Sequence, residues 1–129
     1  GPAVSQRIGG LLLFPFSTDI FLSILDSTGG SLLGSTYLGG AASDGMNNNL
    51  EFNYGDASRG DLSIDSTGNI LGVSFTFSPN IDTGSALNSN YAGLQDGIVF
   101  SFNSDLSQLN WNKMIGGSNN DAVFSLRFS

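Results

Sequence analysis

The chemistry open to this chain rests on eleven carboxylates, because histidine and cysteine are both absent. Without imidazole or thiolate, Cys/His zinc sites, cysteine nucleophiles and Ser-His-Asp triads are excluded. Carboxylates alone support two other chemistries. Paired about 5–10 Å apart across a cleft, they hydrolyse glycosides. Clustered with other oxygens, they hold calcium. Asp26, Asp65 and Asp105 sit in turn-like contexts and the other acids are scattered, so no catalytic pair is indicated. The chain reads as a non-enzyme with no cofactor, and a hydrolase fragment is the weakest alternative. Asp44 has Asn47, Asn48, Asn49 and Glu51 nearby, and Asp121 follows Asn119 and Asn120. Neither spacing matches an EF-hand or a glycine-rich calcium repeat. No metal is expected, and each carboxylate is expected to accept backbone N–H groups and fix its own turn.

Three further motifs have a functional and a structural reading. Gly39-Gly40 and Gly116-Gly117 could form anion-binding nests, but the expectation is a turn with positive φ leading out of a strand. Arg59-Gly60-Asp61 is the tripeptide that integrins recognise, yet Asp61 opens an expected strand and would not be displayed at a loop tip. Tyr54 and Tyr91 lie in polar loops, with Phe52 near Tyr54, and Trp111 lies on a strand. Tyr54, Tyr91 and Trp111 are therefore the candidate ligand-binding residues, since aromatic platforms beside Asn and Asp suit sugars.

The elements that must position these residues are strands. The 129 residues are enough for one core, and 18 glycines suit many tight turns. Only four basic residues oppose the acids and the net charge is −7, so nucleic acid and anionic membranes are excluded as partners. No apolar run approaches the ~20 residues of a membrane span. Leu71, Val73, Phe75 and Phe77 alternate with Gly72, Ser74 and Thr76, which predicts a strand with one face on a core. Ahead of it, Asp65-Ser-Thr-Gly68-Asn69 predicts a turn, because Gly68 and Asn69 tolerate positive φ, and Leu62 and Ile64 complete a hairpin. No window keeps a helical period.

The chain also repeats. Asp19-Ile-Phe-Leu-Ser-Ile-Leu-Asp26 matches Asp96-Gly-Ile-Val-Phe-Ser-Phe-Asn103 at an offset of 96 − 19 = 77. The same offset pairs Tyr37-Leu38-Gly39-Gly40 with Met114-Ile115-Gly116-Gly117, and Asp44 with Asp121. Phe14-Pro-Phe16-Ser17 matches Phe75-Thr-Phe77-Ser78 at 78 − 17 = 61, and Leu62-Ser-Ile64 matches Leu126-Arg-Phe128 at 126 − 62 = 64. The differences mark loop insertions at 44–58 and 79–95. Residues 1–6 read as a leader, Gly1-Pro2 having the look of a protease scar. Residues 7–66 and 67–129 are two four-strand repeats, with strands expected near 8–16, 19–26, 31–38 and 59–65, then 69–77, 96–103, 108–115 and 121–128.

The Asp19–Gly40 stretch, the aspartate after it, and Ile64-Asp-Ser-Thr-Gly-Asn-Ile70 together resemble a β-propeller repeat of large secreted and cell-surface bacterial proteins. The resemblance implies a blade of inner strand 61–65, then 69–77, 96–103 and outer strand 108–115, in an extracellular or cell-surface setting. It departs from the family in its long loops, in Asn112-Lys-Met-Ile115 where Ser-Thr-Tyr-Leu stands in the first copy, and in having only two permuted units. The expected fold is thus all-β, with two propeller-type blades of four antiparallel strands; an eight-stranded sandwich is the alternative. The expected function is a non-catalytic structural or interaction module. Its partners would be other copies of itself or further blades, with strand 121–128 pairing beside 8–16. A glycan or a cell-surface protein, bound as by an adhesin, is the alternative.

Overall fold

The structure is a computed structural model and describes residues 17–47, 60–82, 84 and 91–127. The chain is all-β, with no helix among these residues. Its strands are β1 (Ile20–Leu25), β2 (Leu32–Leu38), β3 (Asp61–Ile64), β4 (Ile70–Thr76), β5 (Asp96–Phe102) and β6 (Leu109–Ile115). They form two antiparallel sheets, one of β1 and β2, the other a meander of order β3-β4-β5-β6. β3, the last strand of the first sequence repeat, is hydrogen-bonded into the sheet of the second. Repeat and sheet are therefore out of phase by one strand.

Local chemistry sets the hairpins. In the β3–β4 turn the Asp65 carboxylate accepts from the Thr67 N–H at 2.8 Å and the Asn69 N–H at 2.9 Å. Gly68 takes φ 89° there. The β1–β2 turn repeats Asp-Ser-Thr-Gly, with Asp26 accepting from Gly30 N–H at 2.9 Å and Gly29 at φ 73°. In the β5–β6 turn the equivalent of Gly29 is Leu106, at φ 63°. A left-handed leucine costs about 1 kcal/mol; burial of its side chain in the core offsets that.

The core lies between the sheets. Leu22 and Leu38 from β1–β2 cluster with Ile98, Phe100, Phe102 and Met114 from β5–β6 and with the loop residues Ile81 and Leu106. Fully burying a side chain of this kind contributes about 2–3 kcal/mol. Alternation of apolar and small residues in β4 suggests one buried face, but both of its faces are covered: Gly72, Val73, Ser74, Phe75 and Thr76 are all buried. Gly72 is small because a Cβ there would stand 2.2 Å from the Phe100 ring and 2.7 Å from Leu62 Cδ2.

The other cover comes from the C-terminal segment, and it corrects an expectation. No strand forms over 121–127. The segment instead lies against the sheet through side chains. Val123 occupies the space above Gly97, and the Phe124 ring stands 6.1 Å from that of Phe75. The Leu126 N–H donates to the Asp61 side-chain carboxylate on β3 at 3.3 Å, which is not a backbone ladder bond. The expected pairing partner, 8–16, lies outside the described residues.

Candidate functional site at the aspartate junctions

β2 and β6 each lead through Gly-Gly to an aspartate four residues on, Asp44 and Asp121, and both junctions are densely hydrogen-bonded. At the first, Asp44 is 1% exposed. Its N–H donates to the Thr18 carbonyl at 2.6 Å, and the Thr18 hydroxyl donates to the Asp44 carbonyl at 2.9 Å. The carboxylate accepts from the Gly40 N–H at 2.8 Å, from the Ser78 hydroxyl at 2.9 Å and from the Thr76 hydroxyl. Thr76 and Ser78 flank the end of β4, so one side chain of the first repeat grips the second. Backbone bonds run alongside: Phe77 N–H to the Ser43 carbonyl and Gly45 N–H to the Phe75 carbonyl, both 2.9 Å. Burial pushes the Asp44 carboxyl above the ordinary range; the hydrogen bonds from Thr76, Gly40 and Ser78 oppose this, and nearby Asp19 adds to it.

The second junction has half of this. Asp121 N–H donates to the Gln95 carbonyl at 2.7 Å, and Gln95 Nε2 donates to the Asp121 carbonyl at 3.0 Å, as Thr18 does for Asp44. The Asp121 carboxylate accepts from the Gly117 N–H at 2.8 Å. Gln95 also bridges Asn120 at the start of β5, but among the described residues no hydroxyl reaches the Asp121 carboxylate and nothing corresponds to the β4 end that bridges Asp44.

The glycines serve these junctions by close approach. Positive φ occurs at Gly29, Gly45, Gly68 and Gly84, not at Gly39, Gly40, Gly116 or Gly117 as expected, nor at Asn69. A Cβ at Gly39 or Gly116 would lie 2.2 Å from Oδ1 of Asp19 or Asp96 respectively. A Cβ at Gly40 would meet Ser78 Cβ at 2.5 Å, whereas at Gly117 the nearest atom is Asp121 Oδ2 at 3.8 Å. The amides of Gly40 and Gly117 donate to Asp44 and Asp121, so an anion nest is already filled from within the chain.

The other candidates do not converge. Tyr91, expected in an exposed loop, packs against the core and its hydroxyl donates to the Leu94 carbonyl at 2.5 Å. Trp111 lies opposite Ser101 on β6, in register with Lys113 and Ile115 rather than with the core-facing Asn112 and Met114. Tyr91 and Trp111 therefore make no common platform. Tyr54, Arg59 and the Asn48–Glu51 stretch lie outside the described residues. Asp61 sits in β3, where Leu126 N–H and Arg127 hold its carboxyl below the usual range. Among the described residues no group of three His, Cys, Asp or Glu is arranged to hold a metal. A cleft of about 640 Å³ opens beside β1, lined by Asp19, Phe21, Asp61, Leu62, Val73 and Phe100 among others. Asp44 also lines it, and the Asp44 and Asp61 carboxylates are both engaged in hydrogen bonds.

Sequence reasoning missed Thr76 and Ser78 as partners of Asp44. The signal was available in part, since Phe75-Thr-Phe77-Ser78 is a repeated motif ending in the hydroxyl that the junction uses. No protein family, curated protein or solved structure matches the chain.

Proposed function

We propose that the chain is a non-catalytic structural and interaction module of β-propeller type, from a secreted or cell-surface bacterial protein, that assembles through its exposed repeat faces and strand ends. In this reading β3–β6 form one blade, β1–β2 belong to the blade beside it, and Asp44 is the lock between them. The observation that carries it is that buried lock: a repeat-encoded aspartate joins one sheet to the end of the next unit's second strand. The carboxylates found in turns are occupied by hydrogen bonds to their own loops, which suits scaffold and not catalysis. A crystal structure of the purified protein tests the reading. Successive sheets fanned about a common axis are expected. Eight strands closed into a two-sheet sandwich would refute it. A glycan array is expected to give no specific signal, and strong binding lost on Trp111→Ala would replace this reading with the adhesin.

A further inference from the structure

The described residues form one interface internally and leave both halves of the same interface exposed. The inference rests on the blade reading above in treating the sheets as successive copies of one unit. The offset of 77 carries β1 onto β5 and β2 onto β6. It therefore carries Phe21, Leu25, Leu32 and Tyr37 onto Ile98, Phe102, Leu109 and Met114. The second set packs in or against the core between the sheets. The first set is exposed: Phe21 and Leu25 at 54%, Leu32 at 60% and Tyr37 at 68%. Phe21 and Tyr37 stack on each other across the β1–β2 pair, ring centroids 5.1 Å apart. Conversely Leu22 and Leu38, both buried in the core, map onto Val99 and Ile115, and Ile115 is 48% exposed. Two exposed apolar pairs on one face, Phe21–Tyr37 and Leu25–Leu32, flank the Ser23–Ser35 pair, and exposed apolar clusters of this kind mark an interaction surface.

The bulk at the two interfaces is exchanged. Inside the chain Gly34 makes room for the β5–β6 turn, since a Cβ there would stand 2.6 Å from the Asp105 carbonyl oxygen, and Leu106 fills the space beyond. At the offset of 77 the position of Gly34 is taken by Trp111, half-buried and bridged along its strand edge by Gly84, and that of Leu106 by Gly29, around whose would-be Cβ there is nothing within 4 Å. A large residue on the strand faces a small one on the turn, the reverse of the internal pair. The polar lock follows the same logic. Asp121 holds Gly117 but lacks the hydroxyl that Ser78 gives Asp44, and Ser17 is the repeat equivalent of Ser78.

We infer that the β1–β2 face carrying Phe21, Leu25, Leu32 and Tyr37 receives the β5–β6 face of a second copy, carrying Trp111 and Ile115, in a head-to-tail repeat of the internal interface. The Ser17 hydroxyl of the receiving copy donates to Asp121 of the other. Because the two faces differ, the contact is heterologous, and it propagates until a ring closes.

Sedimentation equilibrium with complementary variants tests this. The wild-type chain is expected to reach a mass of three or more copies. Tyr37→Lys spoils one face and Ile115→Lys the other, and each variant alone is expected to sediment as one chain. Mixed in equal amounts they retain one good face each, and two-chain particles are expected. Trp111→Ala should weaken wild-type assembly by about tenfold or more, as loss of a buried interface anchor does. Circular dichroism identical to wild type shows that each variant is folded. A wild type that stays a single chain at all concentrations would overturn the inference, as would variants that still self-associate or a mixture that stays monomeric. A monomer whose crystal structure keeps the blade arrangement removes this inference alone; a sandwich removes the blade reading as well.

Discussion

Asp44 and Asp121 stand at matching places 77 residues apart in the sequence, yet they live in different surroundings. Both turn back to accept a glycine N–H four residues earlier, and both are held by backbone and side-chain donors at the same offset. Only Asp44 also receives hydroxyls from another strand, Thr76 and Ser78. The self-contained half of the junction is thus encoded locally and forms wherever the motif occurs. The receiving half is supplied by Thr76 and Ser78 at Asp44, and 121–127 meets no equivalent among the described residues. Its apolar side chains are instead laid over the β4–β5 face, with Val123 on Gly97 and Phe124 by Phe75. The difference teaches that the motif closes its own turn in both places and engages another strand's end in one of them.

The sharpest way to break this comparison is to remove each aspartate. Asp44→Ala strands two buried hydroxyls and a backbone N–H, and is expected to cost about 3 kcal/mol in urea denaturation. Asp121→Ala loses one exposed N–H bond and is expected to cost under ~1 kcal/mol when the chain is monomeric. Equal costs would show that the second junction is as complete as the first. The next effect in size comes from the glycines. Gly40→Ala drives a methyl into Ser78 and should cost roughly 1–3 kcal/mol. Gly117→Ala meets only ordinary contact, and about 0.5 kcal/mol or less is expected.

A smaller effect separates the turn aspartates from the junction. Asp65 is held down from 3.8 to about 2, chiefly by the Asn69 and Thr67 side chains. A depressed folded-state value means that its contribution is complete above 3.8 and is lost as pH falls through about 2. Asp26, Asp61 and Asp105 shift in the same direction. Asp44 shifts the other way, so it opposes folding as it ionises above the ordinary carboxylate range and regains stability on protonation. The melting temperature should therefore fall between about pH 4 and pH 2, and Asp65→Asn should flatten that acid limb. Asp44→Asn should leave the acid limb no flatter than wild type. An acid limb unchanged by Asp65→Asn would mean that the turn network is not formed in solution.

Local features of the fold were readable from residue types. The strands β1 to β6, the Asp65–Asn69 turn and the left-handed Gly68 all follow from alternation and turn chemistry within a few residues. What depends on distant neighbours was not. Gly39 and Gly40 read as a turn with positive φ because glycine pairs usually serve that end. Their actual constraint is the approach of Asp19 and Ser78, which belong to other elements. The segment 121–128 alternates like a strand, but a strand exists only with a partner edge, and side-chain cover of β4 and β5 competes with it. Leu106 could be anticipated only through its alignment with Gly29, since leucine by itself argues against a left-handed turn. Trp111 and Tyr91 look equally available in sequence; packing separates them.

Amide hydrogen exchange at Gly40 and Gly117 tests the comparison most directly, because these two N–H groups make the same bond in the two junctions. In the monomeric chain Gly40 is expected to exchange only through opening of the junction between units, with protection near that of β4. Gly117 is expected to exchange through local opening, on the order of a hundredfold or more faster. Its protection should then rise with chain concentration while that of Gly40 stays fixed. Equal protection of the two amides in the monomer would contradict the account, for it would mean that Asp121 needs no neighbour to complete its junction.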